Sequence, residues 1–546
     1  MSLTTQPASA AATASATVCD TPPAGALGLW DAVSIIVGIV VGAGIYQTAP
    51  FIFKHTDSPF TAMTLWFVAG LASYVGALCY AELATTYPRD GGDLNYLGRA
   101  FGSWAGFLFG WVQLTVIMTG SIGMMAFVFA NYSIRFVKEA FSLELGVYSA
   151  FGFAGGSILV LTILNLVGIR YGKTVQNVLT LAKVLGLGAI ILAGFLAPAP
   201  GAWQEGSLSS DELKQLTFPG FEASLGVAFV LIFYTFGGWN DAAFVAAEVR
   251  DGKRNIPRAL MIGILLITAL YLLVNYAYIN ALGFQKAQAS SQIAADVLNR
   301  GFGRGGVLLM CALVMISALG AVNGLIFTGA RIYSTTGQHF QLMRWMGGWS
   351  RANGAPVSAL ITQGVISLLL VFLVGTELGR QSINALLEQT ATTREEKRIQ
   401  QADGSEASQS VPAGHLLKPM NWDSGNSDDK LGAGERATEL AKGGFDTLLT
   451  CTAPIFWSFF LLTGVSLFVL RERDAHLERP YKVWPYPWVP LFFCAVCGYM
   501  LYASISYALL RGWSGGLTLL GVLPLLLGLP LFHLSQWMGD KESQTF

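Results

Sequence analysis

Two glycine-rich interruptions stand inside otherwise apolar runs, and both are placed where chemistry could follow. The first is GIVVGAGIY at 38–46, with three glycines inside seven residues. Glycine weakens a helix by its backbone freedom. If the helix breaks here, the freed amides of Gly42, Ala43 and Gly44 can bind a carboxylate. A plainer reading also fits, because Gly38 and Gly42 have the GxxxG spacing of close helix packing. The second interruption is FYTFGGWND at 233–241, where Gly237 and Gly238 sit among aromatics and precede Asn240 and Asp241. By itself it reads equally as a packed kink. The two interruptions fall in the first and sixth apolar runs of the chain. That spacing is the pattern of an inverted five-helix repeat with its site at the midplane of a bilayer. Opposed half-helix ends then present amides to a carboxylate and carbonyls to an ammonium, the two charges of a zwitterionic amino acid.

A lysine, Lys183, lies in LTLAKVLGLGAI, well inside another apolar run. A cation at that depth is costly and points to function. Snorkelling is the alternative, but the nearer end of the run is about 12 Å away along the helix, a long reach for one side chain. Asp241 could pair with a cation, assist ion coupling or face an aqueous vestibule, and its place in the inner half of its run favours the vestibule. Glu82 and Glu248 sit near the ends of apolar runs and are expected to pair with loop arginines. Ser317 and Asn323 are expected to bond to the first run or to Lys183.

The elements that must carry these residues follow from composition. Of 546 residues, 53% are hydrophobic and 12% charged, and mean hydropathy is +0.53. So few charges could not clothe a soluble globule. The chain reads as a polytopic membrane protein. Thirty-three basic and thirty-three acidic residues cancel, which removes the electrostatic case for a nucleic-acid partner. Five histidines without ligand spacing, and a lone CxxC at Cys494 and Cys497 inside an apolar run, give no metal site. No cofactor is expected. No phosphate-binding loop or nucleotide-binding domain is present, which removes ATP-driven chemistry from this chain.

Twelve apolar runs are long enough to cross a bilayer, near 29–53, 61–86, 104–135, 147–168, 175–197, 223–247, 257–283, 304–334, 356–375, 446–470, 486–509 and 515–537. Lipid offers the backbone no partners, so each run is expected to be helical. With the N-terminus inside, short inner segments carry sixteen Lys and Arg against eight in short outer ones. The bias places both termini in the cytoplasm. Residues 289–300 read as an outer amphipathic helix, and 89–103 as an inner loop or re-entrant element.

Several segments together carry a family resemblance. GAGI in the first run, GGWN followed by EVRDGKRNIPRA at 248–259, YAELATTYPRDGGDLNYLGRAFG at 80–102, SALGAVNGLIFTGARIY at 317–333 and ERPYKVWPYPWVP at 478–490 are similar to the amino acid/polyamine/organocation transporters. The chain most resembles their L-type amino acid transporter branch, over roughly 28–375 and 446–537. The resemblance implies an all-α membrane protein of twelve transmembrane helices. Its core would be the five-plus-five inverted repeat of LeuT-like transporters, with helices 1 and 6 discontinuous. Composition and charge give a disordered cytoplasmic tail (1–27) and a polar external insertion (376–444), a flexible segment or a small lid or partner-binding element. The resemblance gives a first repeat (28–200), a second repeat (201–375 and 445–472) and two final helices with a short cytoplasmic tail (473–546).

Roles carry over position by position. Val40, Gly42, Ala43 and Gly44 would line the carboxylate end. Tyr234, Thr235 and Gly237 would meet the ammonium through carbonyls, with Tyr234 as an aromatic gate. Phe236, Trp239 and Asn240 would shape the side-chain pocket. Lys183 would stand where sodium-coupled relatives hold an ion, as a proton carrier or a fixed cation, and Asp241 is a second candidate for coupling. Ala43 replaces a serine common in the branch, which bears on substrate preference. The expected protein is a secondary transporter, a proton-coupled symporter or an exchanger, of neutral L-amino acids in the plasma or inner membrane. A carrier of cationic amino acids or polyamines and a non-transporting sensor are the alternatives. The segment 136–146 has no cysteine, so no disulfide-linked heavy subunit is expected, unlike some animal L-type carriers.

Overall fold

The computed structural model describes residues 18–19, 25–42, 44–196, 203, 228–229, 232–233, 235–290, 293–350, 353–386, 433–510 and 517–543. Ten helices among them are long and apolar enough to cross a membrane. They fall on ten of the twelve apolar runs. The other two are the runs with glycine interruptions.

The first of these is two helices, α1 (Leu29–Val40) and α2 (Gly44–Lys54), with non-helical backbone at 41–42. α3 (Pro59–Thr86) follows, with Ser58 accepting from the Thr61 amide as its N-cap. A short α4 (Asp93–Phe101) occupies the segment expected as a loop or re-entrant element. α5 (Ser103–Val112) runs through one π turn (Gln113–Ile117) into α6 (Met118–Phe141). α7 (Ser149–Val167) and α8 (Ile169–Leu196) complete the first half. The sixth run is described only in part. It turns at 236–238 and continues as a 3-10 helix, Trp239–Glu248. Then come α9 (Gly252–Leu282), α10 (Phe284–Ala289), α11 (Ile293–Phe302) and α12 (Gly306–His339). α13 (Val357–Gly375), α14 (Ala433–Arg473), α15 (Trp488–Leu510) and α16 (Leu523–Ser543) end the chain.

α1 is the axis of the fold. A helix that is apolar all round belongs in a core, and its residues from Ile35 to Val40 are all buried. Three helices grip it where side chains are missing. A Cβ on Gly263 of α9 would stand 2.8 Å from Ile36, and one on Gly324 of α12 would stand 2.5 Å from Ile39. A Cβ on Gly38 itself would meet the Gln176 amide of α8 at 1.9 Å. Gly38 is therefore a packing glycine, whereas Gly42, the other half of the GxxxG spacing, lies in the break and makes no tight helix contact.

Two expectations need adjustment. The stretch expected as a tail contains ordered positions. Val18 and Cys19 pair antiparallel with Ser350 and Trp349, and the Leu27 amide donates to the Glu248 carbonyl at 3.0 Å. Backbone pairing holds what side-chain polarity did not foretell. The polar insertion is shorter than 376–444, because 377–386 are helical and α14 already begins at Ala433. Its remainder, 387–432, lies outside the described residues. The amphipathic segment expected at 289–300 is α11, with Ile293, Val297 and Leu298 buried.

Candidate functional site

The two breaks lie side by side. Gly238 is in the left-handed region at φ 100°, and a Cβ there would stand 2.6 Å from Cγ2 of Ile39. Both the turn and the approach of α1 require glycine. A Cβ on Gly44 would stand 2.9 Å from the Thr235 side chain. The Thr235 and Thr48 hydroxyls are 3.2 Å apart. The ends of the two interrupted runs are thus in contact.

Their carbonyls are partly engaged. The Tyr271 hydroxyl of α9 is within donating distance of both Val40 O, at 2.9 Å, and Thr235 O, at 3.2 Å. The Ser317 hydroxyl of α12 donates to Val41 O at 2.8 Å, so Ser317 bonds to the first run as expected. The Gly42 amide turns back to Val40 O at 2.7 Å. Phe236 is buried against Trp66 and Tyr271, with ring centroids 6.2 and 5.1 Å away. Trp239 packs edge-on against Tyr80 at 5.2 Å and Phe460 at 5.6 Å. Asn240 is buried and its Oδ1 has no hydrogen-bond partner. Gly237 is half-buried in the turn. Ala43 and Tyr234 lie outside the described residues. Tyr271 was missed at the sequence level: one tyrosine in an apolar helix carries no mark that it reaches two chain breaks.

Lys183 does not snorkel. It is fully buried, and its Nζ donates to the Gly38 carbonyl at 2.5 Å. A Cβ on Gly320 of α12 would meet that Nζ at 2.9 Å. The ammonium therefore sits between α1, α8 and α12, next to the turn preceding the break. Asn323 differs from expectation. Its amide reaches Gly172 O and Gln176 Oε1 of α8, and its Oδ1 accepts from Asn165 of α7, so it ties α7, α8 and α12 rather than touching α1 or Lys183.

Asp241 is buried, at 5% exposure, rather than open to a vestibule. It interacts electrostatically with Asp93, also buried, at the start of α4. The α4 entry is held against the 3-10 helix by the Gly91 amide, which donates to Phe244 O at 3.1 Å, and by Asp90 Oδ1, which accepts from the Ala247 amide at 3.1 Å. Burial pushes the Asp93 carboxyl up to about 7.

Charged pairs close the same end of the bundle. Arg331 bonds Glu248 through Nε at 2.8 Å and lies 3.8 Å over the Phe327 ring. Glu82 accepts from Arg471 Nε at 2.8 Å, from Arg479 at 3.2 Å and from the Val483 amide at 2.7 Å. Asp474 accepts from the Tyr87 hydroxyl at 2.6 Å and from Arg99. That set of bonds, led by Arg99, holds the Asp474 carboxyl down at about 2. Glu82 thus takes the loop arginine expected for it. Glu248 takes Arg331, which stands on α12 rather than in a loop.

The family model for amino acid permeases matches residues 27–518. The chain belongs to the amino acid permease family. This permease is similar to the large neutral amino acids transporter small subunit 2 of Oryctolagus cuniculus, 34% identical over 314 residues, 56% of each chain. The human protein of the same name is 31% identical over 352 residues, 63% of this chain and 64% of that one. The b(0,+)-type amino acid transporter 1 of Mus musculus is 30% identical over 354 residues, 63% of this permease and 69% of that chain. The match spans just over half the length of the first of these relatives. All three are named as amino acid transporters, and none as an enzyme.

Proposed function

We propose that this permease is a secondary active transporter of amino acids, with neutral L-amino acids as substrates. The observation that carries the reading is the contact between two helix interruptions, at 41–42 and 236–238, in the middle of apolar runs. Backbone groups freed from helices are tolerated at membrane depth only where protein or a polar ligand meets them. The amides at Gly42, Ala43 and Gly44 suit the substrate carboxylate, the Gly42 amide on giving up its bond to Val40 O. The carbonyls of Tyr234, Thr235 and Gly237 suit its ammonium. Phe236, Trp239 and Asn240 surround the side chain, and Val40 completes the wall. The names of the relatives support the substrate class.

The accompanying architecture is twelve helices in a five-plus-five inverted repeat, in the plasma or inner membrane, with both termini cytoplasmic. Alternating access then rocks the helices around the fixed site. The Arg331–Glu248, Arg471–Glu82 and Arg99–Asp474 pairs form the inner closure and must part for release. Two relatives are named as small subunits, which supports a second subunit here too. The segment 136–146 offers no cysteine for a covalent link, so the association would be noncovalent.

The test is uptake of labelled leucine into proteoliposomes, empty or preloaded with leucine, with and without an inward proton gradient. Uptake only into preloaded vesicles identifies an exchanger and makes Lys183 a fixed cation. Gradient-driven uptake into empty vesicles identifies a symporter. Absence of uptake in every condition overturns the neutral substrate and turns the test to arginine and polyamines.

A further inference from the structure

A cavity of about 870 Å³ opens where α12 ends and α13 begins. Both helices are long and apolar enough to cross a membrane, so their junction lies at a membrane surface. Between them the chain passes through a 3-10 helix, Gln341–Met346, and a short strand, Trp349–Ser350. This connection is seated on α12 by close contacts. A Cβ on Gly337 would stand 2.5 Å from the Gly347 nitrogen. Gly347 O accepts from Ser334 Oγ at 3.3 Å and from Gln338 Nε2 at 3.2 Å. The Ser350 amide donates to Ala355 O at 2.9 Å. Trp349 lines the cavity, is 2% exposed, and has the Arg331 guanidinium 5.5 Å from its ring.

The lining favours negative charge. Arg344 and His339 are part of it and no acidic residue is. His339 Nδ1 donates to Thr335 O at 2.8 Å, which fixes the ring. The sequence has no Asp or Glu between Asp296 and Glu377, whereas 340–356 holds Arg344 and Arg351. Val357 and Ser358, the first residues of α13, also line the cavity. The N-cap of α13 is Pro356, with no side-chain cap. The amides of that first turn have no partner within the helix, and such an end attracts an anion.

Apolar surface leads away from the cavity along α13. Ile361, Val365 and Leu369 follow at four-residue spacing on one face and are 49%, 58% and 53% exposed. Trp345, in the cavity wall, is 60% exposed, the placement of an indole at the headgroup level of a bilayer. A soluble anion would use the cavity alone. A phospholipid uses the cavity and the stripe together.

We propose that this cavity binds the headgroup of an anionic phospholipid. Its phosphate meets Arg344 and the first turn of α13, and its acyl chains lie along Ile361, Val365 and Leu369. The lining offers no carboxylate to a choline, so a headgroup of net negative charge is preferred. On the topology proposed above, this is the inner leaflet, where anionic lipids gather. That side assignment rests on the transport reading, and the binding does not. Trp349 also flanks Arg331, whose partner is Glu248. A lipid held here therefore braces the inner closure.

The experiment is native mass spectrometry of the full-length protein in detergent, titrated with dioleoyl phosphatidylglycerol or dioleoyl phosphatidylcholine. The wild type is expected to hold one phosphatidylglycerol about fivefold more tightly than the choline lipid, a preference that fades as salt rises. Arg344→Gln is expected to lose most of that preference. Its binding of the choline lipid is expected to stay as in the wild type, which reports that the variant is folded. Lys253→Gln removes an exposed cation of α9 that does not line the cavity, and is expected to keep the preference. Equal binding of the two lipids by the wild type, or equal losses in the two variants, overturns the proposal. So does displacement of the lipid by glycerol 1-phosphate, which would make the cavity a site for a soluble phosphate. The readout needs no flux, so a failed uptake assay would sink the transport reading and leave this result interpretable.

Discussion

The ammonium of Lys183 donates to the carbonyl oxygen of Gly38 at 2.5 Å, with no exposed surface on the lysine. One cation from α8 thus holds the α1 backbone at the turn before the break. Replacing it with methionine keeps an unbranched apolar stem, one atom shorter, and removes the donor. A buried carbonyl left without a partner costs about 1–3 kcal/mol. Lys183→Met is therefore expected to lower leucine counterflow roughly tenfold or more, with the protein still inserted and monodisperse. Lys183→Arg is not expected to rescue it, because the Gly320 backbone leaves no room for a guanidinium. Counterflow at the wild-type rate in the methionine variant would remove Lys183 from the mechanism.

Tyr271 ties the two broken helices through Val40 O and Thr235 O. Tyr271→Phe preserves the ring that packs against Trp66 and Phe236. Only the hydroxyl is lost, so a packing defect does not confuse the result. Thermal unfolding in detergent is expected to shift by an amount equivalent to about 1–3 kcal/mol. Added substrate is expected to recover part of that shift, since it supplies partners to the same region.

The Gly238 turn is constrained twice, by φ 100° and by Ile39. Gly238→Ala is expected to abolish transport and reduce the yield of folded protein. Left-handed backbone costs a non-glycine residue about 1–2 kcal/mol, and the collision with Ile39 adds to it. Gly238→Ala combined with Ile39→Ala relieves the collision alone. Partial recovery of folded yield in the double variant, with transport still impaired, is the expected outcome. Full recovery would show that φ carries no cost there.

Much of this architecture was legible because lipid makes the sequence simple. Apolar length gave the spans, and ten of the twelve runs meet helices of matching length. The breaks were legible because glycine pairs are rare inside apolar runs that must satisfy their own backbone. What stayed hidden are relations between distant residues of ordinary type. Nothing in YLLVNYAYIN marks Tyr271 as the residue that meets both breaks. Asp93 lies in a polar loop sequence, and only the packing of α4 on the 3-10 helix makes it a buried acid. Asn323 was assigned to the wrong neighbour for the same reason. The helical face it occupies was readable, but the partner across that face was not.

Asp90 offers a pH test outside the membrane-spanning helices. Burial, reinforced by the nearby Glu248, pushes its carboxyl up to about 8. In the unfolded chain it ionises near the ordinary value of 3.8. The folded state therefore holds one more proton between those two values, and stability falls as pH rises through that window. Below it both states are protonated, and above it both are ionised, so the penalty no longer grows. Asp90→Asn retains an oxygen to accept from the Ala247 amide and removes the charge. Its melting temperature is expected to exceed that of the wild type, by a margin that widens from pH 5 to pH 8 and levels off above. A margin that stays constant across the range would mean that Asp90 is ionised throughout, with Arg331 serving both it and Glu248.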